Sequence, residues 1–463
     1  MNLATRRPTP VLLAILTAAI LFAGGLFAGG RPPAAAVSRQ SMGGVQLREG
    51  DRILVLAPHP DDEVLGAAGV LRETVRRGLP TRVVFLTYGD SNEWSFLAYR
   101  KRPVFLPRSV LAMGTLRRQE GLAAAAVLGV PAGNLSFLGY PDYGTLALWR
   151  DRWGTRPPGR GRLTRATAVP YSTAYRPGAP FKGEEILADL ETILRQFRPT
   201  QIFVSHPADH HPDHAALYLF TRVALWDLQG AVPAAALHPY LVHYPHWPGE
   251  KGFHPREELR PPAKLASGFC WRSRELEPGD VEVKQRALAA HRTQFAYSKS
   301  RLLPFVGPNE LYGNLDVPAL VPGGAVVDLQ NLAVRIENQE LEINATLVRA
   351  LPEGTSVNLY AFGYRPDRPF GSMPKLALRI GAETLTIRDQ DRILPRATAE
   401  ARVTGAKLTA RIPLAALGDP DRLFLHAETR LRNTSLNQTP WWVLELPAAV
   451  AAESPAPGCP APG

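Results

Sequence analysis

Cysteine is nearly absent from this chain, with two among 463 residues, and methionine is scarce, with four. Cys270 lies in the main body and Cys459 in the tail "SPAPGCPAPG"; they lack metal-ligand spacing, and nothing in the sequence requires them to pair. No internal repeat is visible, which sets repeat architectures aside. Lysine and arginine outnumber acids 53 to 42, a formal +11, yet no compact basic cluster with interleaved aromatics occurs. Nucleic acid is therefore not an expected partner. The excess charge reflects a bias toward arginine, and it would also suit anionic glycans, wall polymers or lipid headgroups. What is present is apolar material, 45% of the chain, enough for sizeable cores. The length predicts two to three domains of roughly 150 residues each.

After Arg6 and Arg7 come about 18 uncharged residues from Val11, followed by the small triplet Ala34, Ala35 and Ala36. This predicts an export signal over 1–40, either cleaved near Ala36 or kept as a membrane anchor. The protein is accordingly expected outside the cytoplasm, secreted or held at a membrane by that segment.

From Asp51 the pattern alternates between strand and helix. "RILVLA" is an unbroken apolar run, as in a strand buried on both faces. "EVLGAAGVLRETVRRG" has helical periodicity and stops at Gly78, and "RVVFLTY", "LSFLGY", "QIFVSH" and "PYLVHY" predict further strands with helices between them. The expected fold over 45–318 is α/β, a Rossmann-like doubly wound and mostly parallel sheet, with ligands beyond the carboxyl ends of its strands. Ser91 to Leu111 and Gly144 to Phe181 lack clear periodicity and are expected as loops over the ligand face. Over 325–448, short alternating segments separated by turn residues predict an all-β sandwich. Trp441 and Trp442 there offer sugar-stacking surfaces, although neighbours on a strand face opposite ways, so at least one is expected in the core. The Ala- and Pro-rich 449–463 is expected to be disordered.

Chemistry concentrates at two strand ends. "PHPDDE" places His59, Asp61 and Asp62 after the first strand, and "HPADHHPDH" places His206, Asp209, His210, His211, Asp213 and His214 after another. Either turn alone could be a solvated one; two such ends on one sheet edge can converge. Imidazole nitrogen and carboxylate oxygen suit Zn2+, whose catalytic sites typically keep three protein ligands and a water. His59 and Asp62, three apart, with His214 in the first turn of the next helix, form such a set. Asp61 sits beside the ligands without needing to be one and is the candidate general base. His211 is a candidate oxyanion or leaving-group partner, with Asp213 fixing either its tautomer or that of a ligand.

These motifs resemble the LmbE-like or PIG-L deacetylases, zinc-dependent de-N-acetylases of N-acetylglucosaminyl conjugates. The resemblance covers about Asp51 to Gln294. It rests on "PHPDDE", "RRQEGLAAAAVLGV", "FLGYPDYG", "HPDH" preceded by the HPxD of His206 to Asp209, and "KQRALAAHRTQF" with Lys284, His291 and Gln294, in that order. It implies zinc on His59, Asp62 and His214, Asp61 as base and His211 at the tetrahedral intermediate. It also implies Arg117 and Asp142 on sugar hydroxyls, with His291 lining the site. Some family members place a tyrosine just before "HPDH", where this chain has Asp209 and His210; His210 is one candidate replacement. The implied partner is an N-acetylated amino-sugar conjugate or glycan, with another zinc amide hydrolase or a catalytically silent glycan-binding protein as the alternatives.

Overall fold

The computed structural model describes residues 43–101, 105–266, 269–314, 327–432 and 434–446. The apolar segment assigned to export and the tail from 449 lie outside these residues. The first part contains β1 (Gly43–Gly44), β2 (Ile53–Ala57), α1 (Asp62–Arg77), β3 (Thr81–Thr87), α2 (Glu93–Arg100), α3 (Pro107–Leu128), β4 (Leu135–Tyr140) and α4 (Thr145–Asp151). It continues through α5 (Gly183–Phe197), β5 (Gln201–Ser205), α6 (Pro212–Asp227), β6 (Ala236–Tyr240), β7 (Cys270–Glu275), α7 (Pro278–Ala290), α8 (Arg292–Leu302) and β8 (Asn309–Asn314).

These strands form one sheet of order β1-β7-β8-β6-β5-β2-β3-β4, in which β8 runs antiparallel to both neighbours and every other pair is parallel. The all-apolar β2, Ile-Leu-Val-Leu-Ala, is buried along its whole length because helices cover both faces. From β2 the chain winds outward through β3 and β4, and α5 then carries it back to β5 on the other side of β2. The strand order thus reverses between β2 and β5, which pair in register from Ile53 opposite Gln201 to Val55 opposite Phe203. Beyond the carboxyl ends of two strands at such a switch point lies a crevice.

Three local expectations change. The stretch Ser91 to Leu111 is largely helical, containing α2 and the start of α3. Its signals were local ones, Asn92 accepting the Ser95 N–H as an N-cap and Pro107 in the first turn of α3. Gly144 to Phe181 holds the short α4 before becoming irregular. The strand expected at "PYLVHY" is β6, which ends at Tyr240, leaving Val242 and His243 to bond Asp209 instead.

The second part is a sandwich-like pair of antiparallel sheets. It comprises β9 (Leu329–Glu337), β10 (Glu340–Leu347), β11 (Thr355–Tyr364), β12 (Lys375–Ile380), β13 (Leu385–Asp389), β14 (Arg392–Ile393), β15 (Glu400–Thr404), β16 (Lys407–Pro413), β17 (Arg422–Leu431), β18 (Thr434–Gln438) and β19 (Trp442–Glu445). One sheet runs β15-β16-β10-β9 and the other β14-β13-β12-β11-β17-β18, with β19 also on β17. Trp442 packs in the core between these sheets, whereas Trp441 packs against the α/β part, so both tryptophans are buried and neither is an exposed stacking surface.

The two parts share a core. Trp149 of α4, fully buried, lies with its ring 5.1 Å from Phe220 of α6, 4.9 Å from Phe370 and 5.1 Å from Phe424 of β17. The buried Lys375 ammonium donates to the Phe370 and Met373 carbonyls and sits 5.3 Å from the Trp153 ring centre. Trp149→Ala is expected to cost about 3–5 kcal/mol of stability, read as a lowered thermal or denaturant midpoint of the full chain.

Candidate active site

Because β2 and β5 are adjacent and parallel, the turns that follow them face each other. His59 donates its backbone N–H to Asp62 Oδ2 (3.0 Å), whose oxygen also lies 3.1 Å from His59 Nδ1 and 3.1 Å from His214 Nε2. One carboxylate oxygen therefore stands between two imidazole nitrogens from opposite strand ends. The remote nitrogen of each ring faces another carboxylate. His59 Nε2 lies 3.2 Å from both Asp213 Oδ2 and Asp142 Oδ1, and His214 Nδ1 lies 3.0 Å from Asp209 Oδ2. A metal-binding histidine is usually oriented by such an outer carboxylate.

The fixed partners of those carboxylates explain their placement. Asp209 accepts the backbone N–H groups of His211, Val242 and His243 at 2.9–3.0 Å. Asp213 accepts from Tyr143 N (2.6 Å), Thr145 N (3.1 Å) and Thr145 Oγ1 (2.5 Å), tying the start of α6 to the start of α4. Asp213 Oδ2 is 3.9 Å from His211 Nδ1 and 3.2 Å from His59 Nε2, so of the two tautomer roles open to it the structure favours the one at His59.

A cation suits this cluster. His59, Asp62, Asp142, Asp209, Asp213 and His214 are all buried, and grouped donor atoms of His59, His211 and His214, or of Asp62, His214 and His243, lie within 4.8 Å of one another. Each His214 nitrogen stands 3.0–3.1 Å from a carboxylate oxygen, and the His/Asp donor set is one that divalent metals such as zinc accept. Burial alone would push the His214 pKa down, but Asp209 and Asp62 outweigh it and lift it to about 9. The same exchange holds Asp62 well below the usual carboxylate range, chiefly through His214 against the opposing effect of burial. The pocket therefore demands positive charge.

Asp61 stands apart from the donor set and lines the same cavity. Its backbone has φ 136°, a conformation that costs energy for any residue with a Cβ. The turn is held by Asp61 N–H donating to Glu63 Oε2 (2.9 Å), and by Val64 and Leu65 N–H groups donating to Asp61 O (3.1 and 3.0 Å). Burial pushes the Asp61 carboxyl up to about 6, against the pull of Arg117. Arg117 is itself buried, donating to Gly89 O (2.6 Å) and Pro60 O (2.8 Å) and reaching within 3.4 Å of Asp61 Oδ1. Gly89, at φ 63°, leaves room for that guanidinium where a Cβ would collide with it.

His211 caps α6 and its Nδ1 accepts the Asp213 N–H (3.3 Å). Burial, reinforced by His59, His243 and His214, pushes its pKa well down. A neutral ring whose Nδ1 accepts has its hydrogen on Nε2. His211 thus offers a donor in a cavity of about 610 Å³ also lined by His59, Asp61, Arg117, Asp142 and His210.

Several assignments from sequence differ in detail. His291, assigned to the site lining, is fully buried and pairs with Glu63 (2.9 Å), so it braces the Asp61 turn rather than facing substrate. Lys284 of the same segment donates to Leu65 O (3.0 Å) and Glu310 (2.8 Å), and Glu120 accepts from Thr293 N (3.0 Å) and Oγ1 (2.7 Å). The late helices are scaffolding for α1. Asp142 lines the cavity but accepts Ser91 N–H (2.6 Å) and faces His59. His210 is exposed at the cavity mouth, its ring 5.2 Å from Tyr244. Sequence reasoning missed Tyr143, whose ring lies 4.3 Å from His211, and His243, 4.6 Å from His214. It left Asp209 without a role. Tyr143 was visible inside "YPDYG", but only the fold brings that turn across the sheet.

Residues 54–225 match the PIG-L family model, described as GlcNAc-PI de-N-acetylase. A 1D-myo-inositol 2-acetamido-2-deoxy-alpha-D-glucopyranoside deacetylase of Mycobacterium sp. strain KMS is 32% identical over 185 residues, 39% of this chain and 52% of that protein. The chain thus spans about half the length of that relative. The corresponding enzyme of Corynebacterium urealyticum is 27% identical over 261 residues, 52% of this chain and 70% of that protein. The N,N'-diacetylchitobiose deacetylase from Pyrococcus horikoshii superposes with a TM-score of 0.33 at 19% identity, over 56% of this chain and 76% of that one.

Asp209→Asn, which removes the charge behind His214, is expected to weaken divalent-metal affinity by about 10–100-fold, measured by competition with a chelating dye.

Proposed function

Residues 54–225 belong to the LmbE-like/PIG-L deacetylase family, and on that premise we propose that the protein is a zinc-dependent de-N-acetylase. Its substrate is the acetamide of an N-acetylglucosamine-type sugar in a glycolipid, polysaccharide or glycoside. The observation behind this reading is the position of Asp61: a carboxylate in the cavity, beside the donor set and outside it. A metal site with only a structural task needs no such group.

Zinc at His59, Asp62 and His214 would supply Lewis acidity toward the amide carbonyl and bring the pKa of a water toward neutrality. Asp61 takes the proton of the attacking water, its carboxylate held in place by Arg117 and by the strained turn that Glu63 and His291 brace. His211, with its hydrogen on Nε2, donates to the oxygen that gains charge as the carbonyl becomes tetrahedral. Tyr143 brings a phenol to the same cavity, in contact with His211, where this chain has no tyrosine before "HPDH". The proton collected by Asp61 passes to the leaving nitrogen as the C–N bond breaks, releasing acetate and a free amine.

The N-terminal sequence supports export or membrane anchoring. Asp61→Asn is expected to lower amine release from N-acetylglucosaminyl substrates by about 10²–10⁴-fold while zinc content stays at the wild-type level. Turnover unchanged at full metal occupancy would refute the mechanism. Tyr143→Phe is expected to lower kcat by about 10²-fold, and an unaltered kcat would remove the phenol from the reaction.

A further inference from the structure

A second cavity, of about 410 Å³, lies between the α/β part and the sandwich. His210, His211, Tyr244, Pro245 and His246 line both this groove and the catalytic cavity, so only their width separates the two spaces. The far wall belongs to the sandwich, through β17 and the polar run Ser435 to Thr439 on and after β18.

The lining chemistry is specific. Gln438 brings an amide, Ser435 a hydroxyl, Lys264 an ammonium and Arg150 a guanidinium held 4.3 Å over the Tyr360 ring. Two carboxylates, Asp209 and Glu428, line the same groove. With Arg150 and Lys264 opposite them, the charges balance and select no ion of either sign, and the density of polar groups disfavours an acyl chain. Neutral hydroxyls and amides suit this mixture of donors and acceptors.

His426 of β17 also lines the groove, 3% exposed, with its ring stacked on Trp441 (4.8 Å, 9° between planes), so its plane is fixed.

We infer that the groove is a binding subsite for the sugar units next to the one being deacetylated, so that the sandwich forms part of the substrate site and the preferred substrate is an oligomeric or polymeric glycan. This rests on the de-N-acetylase reading and narrows its substrate class. The groove continues from the catalytic cavity past His210 and His211, and a saccharide threaded through both meets Gln438 and Ser435 from the sandwich side.

The test uses full-length, zinc-loaded protein carrying Asp61→Asn, titrated by calorimetry with methyl N-acetylglucosaminide and with the β-1,4-linked N-acetylglucosamine pentasaccharide. The pentasaccharide is expected to bind at least about tenfold more tightly, about 1.4 kcal/mol of added sugar contacts. Adding Gln438→Trp or, separately, Ser435→Trp to fill the groove should erase that advantage and leave monosaccharide affinity unchanged, with Gln438→Ala reducing it in the same direction. Equal affinity for both lengths, no binding of either, or an advantage that survives the groove-filling variants would overturn the inference. In the chain with Asp61 intact, each outcome has its own meaning for the activity. Failure to release amine from either sugar would count against the de-N-acetylase reading alone, because the binding comparison does not depend on turnover.

Discussion

The parallel pairing of β2 with β5 is the contact on which the site depends. Each strand ends in a turn carrying histidine and aspartate, and among the described residues each candidate donor group draws on more than one segment. Strand pairing brings the two turns close enough for Asp62 to stand between His59 and His214 at 3.1 Å from each. The sheet supplies this for a topological reason, since the chain leaves β2 in one direction and returns on its other side. A crevice at the reversal follows from the winding, before any residue is chosen to line it.

Once the turns meet, electrostatics organises the rest. Asp62, Asp142, Asp209 and Asp213 are all buried within reach of His59 or His214. Burying several carboxylates together is unfavourable unless positive charge joins them. All four are anchored by backbone N–H groups, Asp62 through 59, Asp142 through 91, Asp209 through 211, 242 and 243, and Asp213 through 143 and 145. The result is a rigid negative shell around two imidazoles, with His211 kept neutral at its edge. Asp61 is separated from this shell by its backbone rather than by distance along the chain: the positive φ turns its carboxylate toward Arg117 while its neighbour Asp62 turns toward the histidines.

Much of this was legible in the sequence because its signals are local. The apolar run of β2, the prolines and glycines that end helices, and the His/Asp spacing at both strand ends each describe a few adjacent residues. The alternation of strand and helix was likewise enough for the mostly parallel sheet, and short alternating segments for the sandwich. Features that depend on contacts between distant segments were not legible. The role of His291 is set by Glu63, 228 residues away in the chain, and that of Asp209 by backbone groups beyond β6. Neither has a pattern in its own neighbourhood. The helices in Ser91 to Leu111 were missed because their cap signals were subordinate to a weak apolar periodicity. Trp441 was ambiguous for a different reason: strand alternation says that a residue faces away from its neighbour, not that the other face is also covered.

The seven residues of α4 have two attachments of different kinds. At one end, Thr145 and the preceding Tyr143 grip Asp213, which stands behind His59. At the other, Trp149 is embedded among aromatic rings contributed by both parts of the molecule. A displacement of the sandwich therefore has a path of fewer than ten residues to the imidazole that faces the metal pocket. Accessory domains are commonly exchanged between enzymes as independent units, joined by linkers that transmit nothing. This one is not separable in that sense: a lineage that lost or replaced it would have to rebuild the helix that steadies Asp213 behind His59, so the two parts are constrained to be inherited together.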